Sequence, residues 1–146
     1  MSRLSYSSLM VGNVLPERTF EITRADLKHY ADASGDQNPI HQDEAFAISV
    51  GLPNLIAHGM YTMALAGKFI TDWAGDITAL QEFGVRFTKP VIVAADTPAV
   101  VIFSGSVTEL LSHDSVKVEI QAISAGVKVL GQARAIVSCD ERYRLM

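Results

Sequence analysis

Residues 54–73 form a run that is apolar almost all round, with Lys68 its only basic residue. A helix hydrophobic on every side cannot lie on a surface, so the rest of the chain has to be built around it. Ala64, Ala66 and Gly67 fall inside the run, where small side chains let neighbouring backbone come close. The chain that must do the covering has 146 residues. That is enough for one compact domain over 1–146, burying about 68–70% of its unfolded surface.

The covering material reads as strands. Candidates lie at 80–88, 97–111 and 127–139, and Val116-Lys117-Val118-Glu119-Ile120 alternates strictly between apolar and polar. Gly105 marks a bulge or bend in the longest of them. His113-Asp114-Ser115 and Ala125-Gly126 are turn signals short enough for hairpins, which implies antiparallel pairing. Upstream, 14–22 contains one more strand. Thr23 reads as the N-cap of a helix over 24–33, with Asp26 in its first turn and Gly35 as its stop. A second short helix is expected at about 42–49. The pattern is α+β: an antiparallel sheet of about five strands wrapped around one long buried apolar helix.

Composition excludes some functions. The net charge is −4 and no basic stripe is present, so nucleic acid is not an expected partner. No stretch reaches about 18 uninterrupted apolar residues, and the first residues lack the apolar core of a signal peptide. A cytoplasmic protein without membrane insertion is expected. Cys139 is the only cysteine, which rules out an internal disulfide or a cysteine metal cluster. Its apolar surroundings suit a buried structural thiol. The apolar content of 49% leaves a surplus for an oligomer interface or a greasy tunnel.

The chemistry concentrates in Ser34-Gly35-Asp36-Gln37-Asn38-Pro39-Ile40-His41. A regular helix would place residues five apart on different faces. Pro39 also pushes Asn38 toward extended geometry. The segment is therefore a structured loop, able to bring Asp36 and His41 onto one small object such as a water. Together they offer an acid/base pair, and Asn38 can both donate and accept. On spacing alone, a plain turn explains Asp, Asn and Pro better.

A second element changes that balance. Ala57-His58-Gly59-Met60 sits at the start of the apolar helix, where backbone N–H groups have no intrahelical partner. Gly59 lets a carbonyl oxygen approach its N–H, and helix polarity favours negative charge there, as an oxyanion hole requires. His58 reads as a residue that positions backbone. Met60 and Met63 read as core packing first, and as candidates to line an acyl tunnel. Arg86 and Lys89 suit a solvated strand end as well as a phosphate contact. Asp36, His41, Asp43 and Glu44 are metal-ligand types, but no His-x-x-x-His or cysteine pair accompanies them, so no metal is expected.

Taken together these residues resemble the MaoC-like dehydratases, also called R-specific enoyl-CoA hydratases, which have the hotdog fold. The resemblance rests on Tyr30, the segment from Ser34 to His41, Ala57-His58-Gly59-Met60, and Phe83-Gly84-Val85-Arg86-Phe87-Thr88-Lys89-Pro90-Val91. It covers about 11–139. Within the family the chain resembles the catalytic subunits of the type II fatty acid synthase (3R)-hydroxyacyl-carrier-protein dehydratases of mycolate-making bacteria, through Val11-Gly12, Leu15-Pro16-Glu17, Thr23-Arg24 and Val50-Gly51-Leu52. The resemblance implies Asp36 and His41 as the catalytic pair, Asn38 as a supporting hydrogen-bonder and Gly59 N–H as an oxyanion donor. It implies a hydro-lyase acting on thioesters of CoA or acyl carrier protein, with no metal or redox cofactor. It also implies a homodimer, or a heterodimer with a hotdog paralogue. Some relatives carry a serine beyond the His-Gly-Met; here that region holds Ala64, Ala66 and Gly67, and no serine role transfers. Two other readings stand beside it. One is a non-catalytic acyl-thioester-binding partner subunit, against which the retained Asp36, Asn38 and His41 argue. The other is a hotdog acyl thioesterase.

Overall fold

The structure is a computed structural model describing residues 3–139. Residues 1–2 and 140–146 of the domain expected over 1–146 lie outside the described residues. In chain order the main elements are β1 (Val14–Ile22), α1 (Arg24–Ser34), α2 (Glu44–Ser49), β2 (Leu55–Ile56), α3 (Gly59–Ala74), β3 (Leu80–Phe87), β4 (Ile92–Val93), β5 (Ala99–Leu111), β6 (Ser115–Ser124) and β7 (Val127–Ser138).

Five strands form one antiparallel sheet in the order β1-β5-β6-β7-β3. This is the architecture expected from the sequence. Helix α3 packs its Thr62, Ala66, Phe69, Ile70 and Ala74 inward, positions that share one helical face. Phe69 stacks on Phe103 of β5 with ring centroids 5.9 Å apart. The helix is not covered all round, however. Met60, Ala64, Lys68 and Asp72, spaced four apart, form an exposed stripe, with Met60 57% exposed. A single sheet reaches only one side of a helix, so all-round apolarity overstates burial within one chain.

The ends of α1 follow the expected chemistry. Thr23 accepts from Asp26 N–H and the Asp26 carboxylate accepts from Thr23 N–H, closing a capping box. Gly35 ends the helix at φ 82, a conformation that costs glycine little. Helix α2 is shorter than expected, because Pro39–His41 already forms a separate 3-10 turn and Asp43 caps the helix by accepting from Phe46 N–H.

Two features differ from the sequence reading. Leu55–Ile56, inside the apolar run, is a strand paired with Ile92–Val93 in a small second sheet. Two-residue strands carry no periodicity to detect. The extra residue is not Gly105 itself: the β5–β6 register shifts between Val107 and Glu109, and the β1–β5 register shifts between Leu15 and Arg18, opposite Gly105 and Phe103. Gly105 is instead a site of close approach, since a Cβ there would sit 2.8 Å from the Glu119 carbonyl oxygen and from Ile120 Cδ1.

The β6–β7 hairpin closes through Ala125 and Gly126, at φ 50 and 77, the pattern of a type I′ turn. Ala125 meets that geometry with a Cβ, whereas asparagine tolerates it well. Ala125→Asn is therefore expected to raise stability by roughly 1 kcal/mol. Denaturant unfolding measures it, and an unchanged or lower midpoint contradicts it.

Candidate active site

The segment after α1 is organised by consecutive side-chain turns. The Asp36 backbone N–H donates to Ser34 Oγ at 3.2 Å. Asp36 Oδ1 accepts from Asn38 N–H and Asn38 Oδ1 accepts from Ile40 N–H, each at 3.1 Å. The chain then enters the 3-10 turn, which carries His41 inward while Asp36 stays exposed. The loop thus does what its composition suggests. It also occupies the acceptor of Asn38, which leaves the Asn38 NH₂ as the group open to other partners.

His41 is buried, and its Nδ1 lies 2.6 Å from the carbonyl oxygen of Ile56. A carbonyl only accepts, so Nδ1 carries the proton and Nε2 keeps its lone pair. Burial pushes the His41 pKa below its ordinary 6.5. The Ile56 hydrogen bond and the Asp36 charge pull the other way, and His58 adds to the lowering. Burial prevails, so His41 is a neutral imidazole at pH 7 with a basic nitrogen.

A third ring completes the cluster. His58 stacks on His41 with centroids 3.7 Å apart and an interplanar angle of 21°. One carboxylate oxygen of Asp36 and one ring nitrogen from each of His41 and His58 lie within 4.8 Å of one another. The structure therefore joins the expected pair to His58, which the sequence reading placed in a backbone role.

His41 forms one wall of a cavity of about 390 Å³. Ile40, Ile56, Gly59, Thr62, Phe87 and Leu130 are among the residues around it, with Lys89 also lining it. Gly59 is the first residue of α3. The His58 side chain does not cap the helix, and the His58 carbonyl takes the N–H groups of Tyr61 and Thr62. Among the described residues none accepts from Gly59 N–H. A Cβ on Gly59 would meet the Phe87 ring at 3.1 Å, so glycine keeps this passage open.

Met60 and Met63 are not among the cavity-lining residues. Gly59 and Thr62 are three apart and turn the same face to the cavity; Met60 and Met63 each lie about 100° further round. Arg86 is likewise absent from the lining, whereas Lys89 belongs to it. Sequence reasoning missed the Ile56 carbonyl, since a backbone acceptor leaves no side-chain signature.

A family model described as "MaoC like domain" matches residues 9–125. The 3-hydroxyacyl-thioester dehydratase X of Mycobacterium tuberculosis is 39% identical over 80 residues, which are 55% of this chain and 28% of that protein. The peroxisomal hydratase-dehydrogenase-epimerase of Saccharomyces cerevisiae is 35% identical over 123 residues, 83% of this chain and 13% of that one. The chain thus spans well under two thirds of the curated relatives it matches. Among solved structures, the unliganded R-hydratase PhaJ1 of Pseudomonas aeruginosa superposes with a TM-score of 0.82 at 29% identity, over 95% of this chain and 88% of that one. A MaoC-like dehydratase superposes with a TM-score of 0.93 at 37% identity, over 95% of this chain and 43% of that one.

Proposed function

The chain belongs to the MaoC-like domain family, and from that membership we propose that it is a hydro-lyase interconverting (3R)-3-hydroxyacyl and trans-2-enoyl thioesters. The observation that carries this reading is His41. It is neutral, its Nδ1 proton is donated to the Ile56 carbonyl, its Nε2 lone pair is free, and the ring lies close to Asp36 and lines the same cavity as Gly59.

In hydration the thioester oxygen accepts from Gly59 N–H, where the α3 N-terminus favours negative charge. Asp36 and His41 hold one water. Its oxygen bonds to C3, one of its protons passes to the pair, and a proton returns from the pair to C2. Between these events the charge rests on the thioester oxygen as an enolate. Dehydration is the reverse: the C2 proton leaves to the pair and the C3 hydroxyl departs as water. The positioned pair contributes about 10²–10⁴ in rate and one oxyanion donor about 10²–10³. The Asn38 NH₂ supports the bound oxygen. The apolar cavity walls receive the acyl chain, and Lys89 offers a cation to the phosphate of CoA or acyl carrier protein. The site needs no metal or redox cofactor.

Purified protein mixed with trans-2-enoyl-CoA substrates should consume the enoyl absorbance and yield the 3R product. Release of free thiol without hydration would identify a thioesterase instead. No turnover at any chain length, with or without a hotdog partner, sinks the proposal. We place the reaction in the cytoplasm. We also propose that the domain pairs with a second hotdog chain, a copy or a paralogue. β3 is an edge strand of the sheet, and the stripe led by Met60 stays exposed in the single chain.

The pH dependence follows from His41. Protonation turns Nε2 into a donor and removes the base, so kcat/KM should rise with pH through an acid limb centred below 6.5. A limb centred above 6.5 contradicts this assignment. The same shift bears on stability. The unfolded chain takes the His41 proton more readily than the folded one, so this contribution is present above 6.5 and is lost as pH falls through the lowered folded value.

A further inference from the structure

His58 makes contacts that the proposed chemistry leaves unexplained. Its side chain is 2% exposed. Nε2 lies 3.1 Å from the backbone carbonyl oxygen of Asp36, so Nε2 carries the proton and donates. The ring face lies against His41 at 3.7 Å. Tyr30 of α1 meets the same ring edge-on at 4.7 Å. The His58 backbone carbonyl accepts from Tyr61 and Thr62 N–H, which leaves Gly59 N–H as the first group of α3. One residue therefore touches the turn that bears the carboxylate, the base, and the helix that bears the oxyanion donor.

The remaining nitrogen sharpens the point. With Nε2 protonated, His58 Nδ1 is an acceptor, and it is buried without a partner. An unpaired buried acceptor is unfavourable. A phenylalanine would fill the space without one. What the imidazole adds is the N–H on the Asp36 carbonyl, 22 residues back along the chain.

We infer that His58 is the positioning residue of this site, holding Asp36 and His41 in place relative to the N-terminus of α3. The inference rests on the hydro-lyase reading of that pair. Its effect falls on the geometry of reaction and leaves substrate affinity nearly unchanged, so it belongs to kcat.

The test compares His58→Phe, which keeps a ring but loses the donor, with His58→Gln, whose amide can still donate to Asp36. For hydration of trans-2-enoyl-CoA, His58→Phe is expected to lower kcat about 10²-fold with KM within about threefold. His58→Gln is expected to stay within about tenfold of the unaltered protein. Amide hydrogen exchange supplies a readout free of activity: Asn38, Ile40 and His41 N–H should exchange faster in His58→Phe, with β5–β7 unchanged, and stay protected in His58→Gln. If the unaltered protein shows no hydratase activity, the functional reading fails and exchange alone decides the positioning. If His58→Phe does not fold, His58→Met, which also lacks the donor, takes its place with the same expected outcomes. The inference is overturned if His58→Phe keeps kcat within threefold, if both variants lose kcat equally, or if exchange in the turn does not change.

Discussion

His41→Ala is expected to lower kcat for enoyl-thioester hydration by about 10²–10⁴-fold, with KM changed far less. In the proposed reaction His41 acts on water and on a proton in flight, whereas the cavity walls hold the acyl chain. The change also strands the Ile56 carbonyl, which costs about 1–3 kcal/mol of stability. Activity therefore has to be read below the variant's own melting temperature. Removal of the ring leaves space beside Asp36 and His58, and added imidazole should restore part of the lost rate by supplying a diffusible base. Steady-state kinetics with a saturating enoyl-CoA measures both effects. Wild-type turnover in a folded His41→Ala protein would remove His41 from the mechanism.

Asp36→Asn is expected to produce a loss of the same order, about 10²–10⁴-fold in kcat, through charge alone. The amide keeps an oxygen where Asp36 Oδ1 now accepts from Asn38 N–H, so the turn should survive. The carboxylate is exposed, and its replacement should leave the thermal midpoint within about 2 °C. Loss of rate with the fold retained is the signature of a group that moves a proton. The double variant Asp36→Asn/His41→Ala should be little worse than the worse single one, since both act on one water. Multiplicative losses would mean that the two work independently.

Much of this was legible in the residues, and the limits have physical causes. Thr23, Asp26 and Gly35 mark the ends of α1 because capping is local chemistry. The five sheet strands show because alternation and turn residues repeat over many positions. The candidate pair Asp36 and His41 stands out because Gly35 precedes it and Asn38 and Pro39 lie between its members. The hidden parts depend on distant chain segments. The tautomer of His41 hangs on a backbone carbonyl, and the stacking of His41 on His58 joins two segments that no periodicity relates. The rotation of α3 that turns Gly59 and Thr62, but not Met60 and Met63, to the cavity is set by packing against the sheet. All-round apolarity gives no hint of it.

The smallest element of the fold has the widest reach. Ile56, whose carbonyl sets the tautomer of His41, lies in β2, and β2 is held by β4. Ala57 N–H donates to the Val91 carbonyl, and Arg24 reaches the Val93 carbonyl from the start of α1. The tautomer of the imidazole is thus set by a pair of two-residue ribbons rather than by its own loop. Sequence drift at 92–93, outside the cavity lining, would surface as altered reactivity in a protein with every reactive side chain intact. A screen for inactive alleles should therefore return a second cluster of lesions there, silent in substrate affinity and visible in the state of one proton.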